Sequence, residues 1–288
     1  MEFDPYLYVA FALGLLAGWA VRPRSPWTGR ATLVTVGILV GLLGASLDAV
    51  PVAQLLLTIP LSLGYAALVL GLTGALALLM VRGFRRSGTA PTPAPPTADR
   101  FPLSVLLLAA LVGGFALGHF VTLPTSQAIP WALYALLALV GFDLKLHVGA
   151  LRSLWVPVTA AVVGALGAAA VFVVLVGIAA PVAFATTFAF GWYTLAGPLV
   201  GARAGAALGL LAFLTNFLRE NLTMLLAPVL GRRMRGEGLT ALGGATSMDT
   251  TLYFVTRYGD ARAGTLALAS GLILTVTASL LLPLLLLL

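Results

Sequence analysis

Polar and apolar positions in this chain separate into long blocks instead of alternating. Apolar runs of about 20 residues, the length that crosses a bilayer as a helix, recur over most of the sequence. Full spans are predicted at 6–21, 31–48, 52–81, 103–121, 128–143, 154–178, 205–229 and 262–287. The third is about 45 Å long at 1.5 Å per residue, so it should tilt or kink, with Pro60 the natural place. Two further apolar segments, 182–203 and 239–258, are interrupted: the first carries "GWYTLAGPLVG" and the second "GGATSMDTTLYFV". Residues 83–101, rich in proline and basic side chains, read as a solvated linker.

Composition agrees with a membrane protein. Of 288 residues, 60% are hydrophobic and 9% charged, against roughly a quarter charged in an ordinary soluble domain. Without cysteine there is no disulfide, thiolate metal site or thiol chemistry. The net charge of +7 does not point to nucleic acid, because the arginines cluster at the ends of apolar runs. The first run follows Glu2 and Asp4 and precedes Arg22, Arg24 and Arg30, the reverse of a signal peptide, so it reads as a retained helix.

Charge also decides how the interrupted segments sit. If 182–203 crossed the membrane, Arg232, Arg233 and Arg235 would face away from the other basic loops. If both interrupted segments enter and leave by one face, these arginines join Arg82, Arg85, Arg86, Arg100, Lys145, Arg152, Arg257 and Arg262 on the cytoplasmic side. The predicted fold is therefore an all-α polytopic membrane protein with about eight transmembrane helices and two re-entrant hairpins, both termini outside. Gly14 and Gly18 return as Gly114 and Gly118, Leu39-Val40-Gly41 as Leu139-Val140-Gly141, and Gly64 as Gly164. Three helices per copy would make these inverted repeats. The expected organisation is a scaffold of six helices over 1–178 and a transport core over 182–288.

The span 205–229 holds "TNFLRENLT", where Asn216, Arg219, Glu220 and Thr223 share one helix face. A charge at mid-bilayer costs about 2.5–3.5 kcal/mol on insertion scales, so keeping two needs a reason. One reading is an internal ion pair that fixes packing. The other is a pathway in which Arg219 faces a carboxylate and Glu220 a cation or proton. Glycine pairs and Gly-Pro should break the two interrupted helices, freeing backbone groups for a ligand. Around the breaks Tyr193, Thr194 and Gly197, then Thr246, Ser247, Asp249 and Thr250, would line the site. Asp249 would equally serve as the N-cap of a half-helix beginning near Thr250. Trp192 reads as an interfacial anchor, and Asp48 as a cap or a residue at a pathway mouth. No zinc or nucleotide motif occurs, so neither cofactor nor metal is expected.

These motifs together, "FGWYTLAGPL", "NFLRENLTMLLAP" and "GGATSMDTTL", resemble the LysO lysine exporters of bacteria, most specifically over 185–288. The resemblance implies an inner-membrane protein that exports L-lysine and its toxic analogue thialysine. It assigns the family's intramembrane acidic residue to Asp249, and an N-x-x-R-E motif to Asn216, Arg219 and Glu220; Asp48 is the nearest candidate for a second acid. Lysine needs an anion site beside a cation site. Half-helix amides or Arg219 would hold the α-carboxylate, while Asp249 or Glu220 would hold an ammonium and exchange protons, with Asp48 the third proton-coupling candidate. Expected partners are L-lysine, protons or Na⁺, membrane lipids and a homodimer mate, with no nucleic acid. The order of elements is also similar to that of elevator transporters such as those for glutamate.

Other classes remain open at this stage. A carrier of another small amino or organic acid would use the same groups. A channel would show unsaturable flux without counterflow. An aspartyl intramembrane protease would need two facing aspartates, for which Asp143 and Asp249 are the candidates, but its G-x-G-D context is missing.

Overall fold

The computed structural model describes residues 5–21, 26–83, 103–143, 153–248, 250–259 and 262–288. Among them the chain forms helices joined by short turns: α1 (Pro5–Val21), α2 (Pro26–Ser46), α3 (Val52–Gly83), α4 (Leu103–Phe120), α5 (Thr125–Asp143), α6 (Trp155–Val176), α7 (Ala180–Thr187), α8 (Tyr193–Ala204), α9 (Ala206–Gly243), α10 (Leu252–Tyr258) and α11 (Ala263–Leu285). Three stretches, Val52–Val81, Trp155–Val176 and Ala263–Leu285, are long and apolar enough to cross a membrane. Val9–Val21, Arg30–Ser46, Leu106–Phe120 and Thr125–Leu139 are apolar but shorter. Large aliphatic side chains such as Leu13, Leu16, Leu56, Val174 and Leu175 face outward. That exterior suits hydrocarbon, since in water each would cost the transfer energy of an exposed apolar side chain. The linker beyond Gly83, Arg22, Arg24, Lys145, His147, Arg152 and Asp249 lie outside the described residues.

The glycines with a hundred-residue offset do the same job in both places. A Cβ on Gly14 or Gly18 of α1 would run into the backbone of Ala138 and Phe142 of α5. A Cβ on Gly114 or Gly118 of α4 would run into Gly41 and Ala45 of α2. In both pairs the residue numbers rise together, so the helices run parallel, and small residues let the backbones touch as they do in membrane helix packing.

The third helix of each triplet goes elsewhere. α3 and α6 are antiparallel: Tyr65 stacks on Phe172 with ring centroids 3.6 Å apart, and Gly164 abuts Thr73. Their shared side then packs on the later helices. Leu70 and Ala77 of α3, Ala160 of α6, and Met234, Ala241 and Leu242 of α9 form one buried apolar cluster. Tyr65 also donates its hydroxyl proton to the Ala183 carbonyl of α7 at 2.7 Å, within the buried interior. The first two helices of each triplet meet the later ones more smoothly, with Leu43 of α2 lying over Gly197 and Gly201 of α8.

Several boundaries differ from expectation. Helix α3 continues through Pro60, eight residues after its first residue Val52. Within α9 one helix runs past 229 up to Arg235, whose φ of 56° and ψ of −171° are non-helical, and a second runs on to Gly243, so the break falls in the gap between the predicted segments 205–229 and 239–258. The Gly197-Pro198 pair does not break α8; proline in the second turn only deprives the Thr194 carbonyl of its in-helix donor. The true interruption lies at 188–192, just before Tyr193. Trp192 belongs to that turn, is half-buried and packs against the main apolar cluster.

The reciprocal glycine contacts predict matched damage. Gly14→Val and Gly114→Val should each destabilise the protein by about 1–3 kcal/mol through overpacking, read as similar drops in the unfolding midpoint in detergent. A neutral effect at either site would mean that the parallel pairs are not in backbone contact.

Candidate functional site

Two helix breaks and one helix face build the site. The first break reverses direction through Phe190 (φ 52°) and Gly191 (φ 97°). A non-glycine residue held left-handed costs about 1–2 kcal/mol and persists only where neighbours over-determine it. Asn216 of α9 supplies that determination. Its Oδ1 accepts the Gly191 N–H at 2.9 Å, and its Nδ2 donates to the carbonyls of Thr186 at 2.8 Å and Ala212 at 2.9 Å.

The second break begins at Gly244, whose φ of 64° and ψ of −129° lie in territory that is essentially reserved for glycine. A 3₁₀ turn (Gly244–Met248) follows. Ser247 Oγ lies 2.7 Å from the Gly244 carbonyl and 2.9 Å from that of Ala267 in α11, so its single proton is shared between them. Thr246 Oγ1 donates to the Gly243 carbonyl at 2.9 Å. These hydroxyls hold the turn together. The chain then comes back along itself, so that Gly259, just past α10, lies against Gly236.

The two breaks meet. The Ala245 N–H donates to the Phe190 carbonyl at 2.9 Å, joining one tip to the other by a backbone bond. Arg219 lies directly beneath: a Cβ on Gly244 would stand 2.8 Å from its Nη2 and would also strike the Phe190 carbonyl oxygen. The arginine is 1% exposed. Its Nη2 makes one long contact, 3.4 Å, with the Ala241 carbonyl, while Nε and Nη1 have no hydrogen-bond partner among the described residues. Each unmet buried donor costs about 1–3 kcal/mol. Glu220, 2% exposed, leaves the same helix in a direction about 100° away. Thr223 donates to the Arg219 carbonyl at 2.8 Å and closes the buried stripe.

The structure thus brings Asn216, Arg219, Glu220, Thr246 and Ser247 into one buried neighbourhood. Tyr193 is buried against Phe213 and Phe217, with ring centroids 5.3 and 5.5 Å away. Thr194 is buried, and Gly197 serves close packing under Phe213 and Leu43. Thr250 is half-buried. Asp249 lies outside the described residues, and the N-cap position of α10 falls on Thr251. Asp48 stands apart, on the short turn after α2, where its carboxylate pairs with His119 Nδ1 at 3.0 Å near the surface.

Two participants of the site, and one further buried acid, carry no mark in the sequence motifs. The carbonyls of Thr186 and Ala241 are backbone groups and leave no trace in side-chain chemistry. Glu237, one turn before Ala241, has an Oε2 buried without a hydrogen-bond partner among the described residues. Its setting between Gly236 and Gly238, just past the Arg235 break, was the available signal.

Apolar helices enclosing two broken segments and a buried guanidinium define a polytopic helical membrane protein with a charged interior. The family model described as lysine exporter LysO matches residues 108–286, and the chain belongs to that family. It is 33% identical over 183 residues to the lysine exporter LysO of Escherichia coli (strain K12), covering 60% of each chain. It therefore spans about 60% of the length of that curated relative. No solved structure matches it.

The geometry at the second break makes Gly244 the least replaceable residue of its turn. Gly244→Ala should cost about 1–3 kcal/mol from its backbone conformation alone and should also displace Arg219. The variant's unfolding midpoint in detergent should fall. An unchanged midpoint would contradict the tight placement of Gly244 over the guanidinium.

Proposed function

We propose that this chain is a secondary active transporter of the inner membrane that exports L-lysine, and analogues such as thialysine, in exchange for protons. The observation that carries the reading is Arg219, buried with two donors unmet beneath two helix tips. A permanently charged guanidinium in that position suits a carboxylate, which it can engage through two parallel hydrogen bonds. Lysine is favoured over other amino acids by the family's name and by that of the Escherichia coli relative. Its two ammonium groups need carboxylates: Glu220 is buried one residue from Arg219, and Asp249 follows Met248 in the second tip. Either acid also serves as a proton carrier, and one proton inward per lysine cation outward is electroneutral. No bond is made or broken, so no enzymatic activity is assigned.

In this reading eight helices cross the membrane, with α7–α8 and the 236–259 segment entering and leaving by the cytoplasmic face. The reciprocal α1–α5 and α2–α4 contacts support an inverted repeat. Movement of a core against a scaffold would expose Arg219 to each side in turn. A division at 178–182 makes α3 and α6 scaffold. The apolar cluster joining α3, α6 and α9 favours instead a core that takes α3 and α6 along, leaving α1, α2, α4 and α5 as the scaffold and possible dimer base.

The transport reading is tested by labelled lysine in proteoliposomes with and without a proton gradient, challenged by arginine, ornithine and organic acids. Saturable counterflow, accelerated by the gradient, is expected; unsaturable flux without counterflow would favour the ion channel. Arg219→Ala should weaken lysine transport roughly ten- to hundredfold, the equivalent of a charged hydrogen bond of about 1.5–3 kcal/mol. Asp249→Asn should transport lysine without moving protons; if proton movement persists, Asp249 is not the carrier.

The body boundary is tested in the cysteine-free native background. Bridging cysteines at Gly74 and Leu242, where a Cβ on Gly74 would stand 3.4 Å from Leu242 Cδ2 across α3 and α9, should leave transport intact. Bridging Leu43 and Gly201, where a Cβ on Gly201 would stand 3.1 Å from Leu43 Cδ1 across α2 and α8, should stop it. Loss in both cases would move the boundary back to 178–182, and loss in neither would remove the two-body mechanism.

A further inference from the structure

The carboxamide of Asn216 is already spoken for. Both of its hydrogens go to backbone carbonyls, Thr186 at 2.8 Å and Ala212 at 2.9 Å, and its oxygen takes the Gly191 N–H at 2.9 Å. At 1% exposure it has no donor left for a ligand. What it holds is more informative. Gly191 follows Phe190 directly, and the left-handed Phe190 presents the carbonyl that accepts the Ala245 N–H at 2.9 Å. Ala245 in turn follows Gly244, which covers Arg219 Nη2. Arg219 lies three residues after Asn216, on the same helix face. The contacts therefore form a closed ring: α9 to the first tip, first tip to second tip, second tip back onto α9.

We infer that Asn216 is a positioning residue that ties the first tip to α9 and, through the Phe190–Ala245 bond, keeps the second tip closed over Arg219. This rests on reading Arg219 as the ligand's anchor, and it reassigns Asn216 from ligand contact to control of the cover above that anchor. The two tips then open as one unit. A ligand that reaches the guanidinium must break the Phe190–Ala245 bond or arrive with α9 and both tips moving together. Asn216→Asp keeps the acceptor for Gly191 but loses both donors and turns a carboxylate toward two carbonyls, so it should open the ring as Asn216→Ala does.

Hydrogen–deuterium exchange of the full chain in lipid nanodiscs, read by mass spectrometry, tests this without reference to transport. In Asn216→Ala, amides of 188–192 and of 244–248 should both exchange at least tenfold faster than in the native chain, while α11 is unchanged. The decisive segment is the second tip, which Asn216 does not touch. Faster exchange in 188–192 alone would overturn the transmission from tip to tip, and no change in either would overturn the positioning role. If the variant does not reach the membrane, the native chain decides: a common opening rate for the two segments supports the ring, and clearly different rates overturn it. If lysine transport fails while the exchange result holds, the fault lies in the transport reading and not in the ring.

Discussion

A guanidinium cannot shed its charge inside an apolar bundle, and that constraint organises the rest of this molecule. Arg219 is among the most enclosed side chains of the described residues, and each of its unmet buried donors costs about 1–3 kcal/mol. A residue kept only for packing would be answered on all sides. Here the described surroundings answer one nitrogen, weakly, through the Ala241 carbonyl. Both helix breaks close over this one group, the second through Gly244 and the first through the Phe190 carbonyl that holds Ala245.

The supporting structure is graded toward the same point. Far from Arg219, small residues at Gly14, Gly18, Gly114 and Gly118 lock α1 to α5 and α4 to α2 by backbone contact. Closer in, α3 and α6 contribute apolar side chains and the Tyr65 hydroxyl to the segments that carry the tips. At the centre, Asn216, Thr246 and Ser247 bond to the Thr186, Gly243 and Gly244 carbonyls at the breaks, and Ser247 also reaches the Ala267 carbonyl of α11. Leu43, resting on Gly197 and Gly201, belongs to the main apolar cluster that joins α2 and α5 to α8 and α9.

The helices were legible because apolar length alone predicts them, and the 216–223 stripe because helical spacing put four polar side chains on one face. The second tip was legible too, since consecutive glycines leave few other conformations. Legibility ended where backbone decides. Gly197-Pro198 looked like a break, yet α8 continues through it, and the reversal fell on Phe190 and Gly191, whose conformation depends on a side chain 25 residues away. Asn216 looked like a ligand residue because its type and face fit, but the carbonyls that occupy it are invisible in a sequence. The pairing of Asp48 with His119 joins positions 71 apart that no spacing rule connects.

The central claim is that the buried guanidinium selects ligands that carry a carboxylate. Competition in proteoliposome counterflow addresses it most directly, with labelled lysine challenged by unlabelled cadaverine, which is lysine without its carboxylate, and by lysine itself. Lysine should compete fully and cadaverine should fail at comparable concentrations. Cadaverine competing as well as lysine would contradict the account, because the site would then recognise the ammonium groups without Arg219.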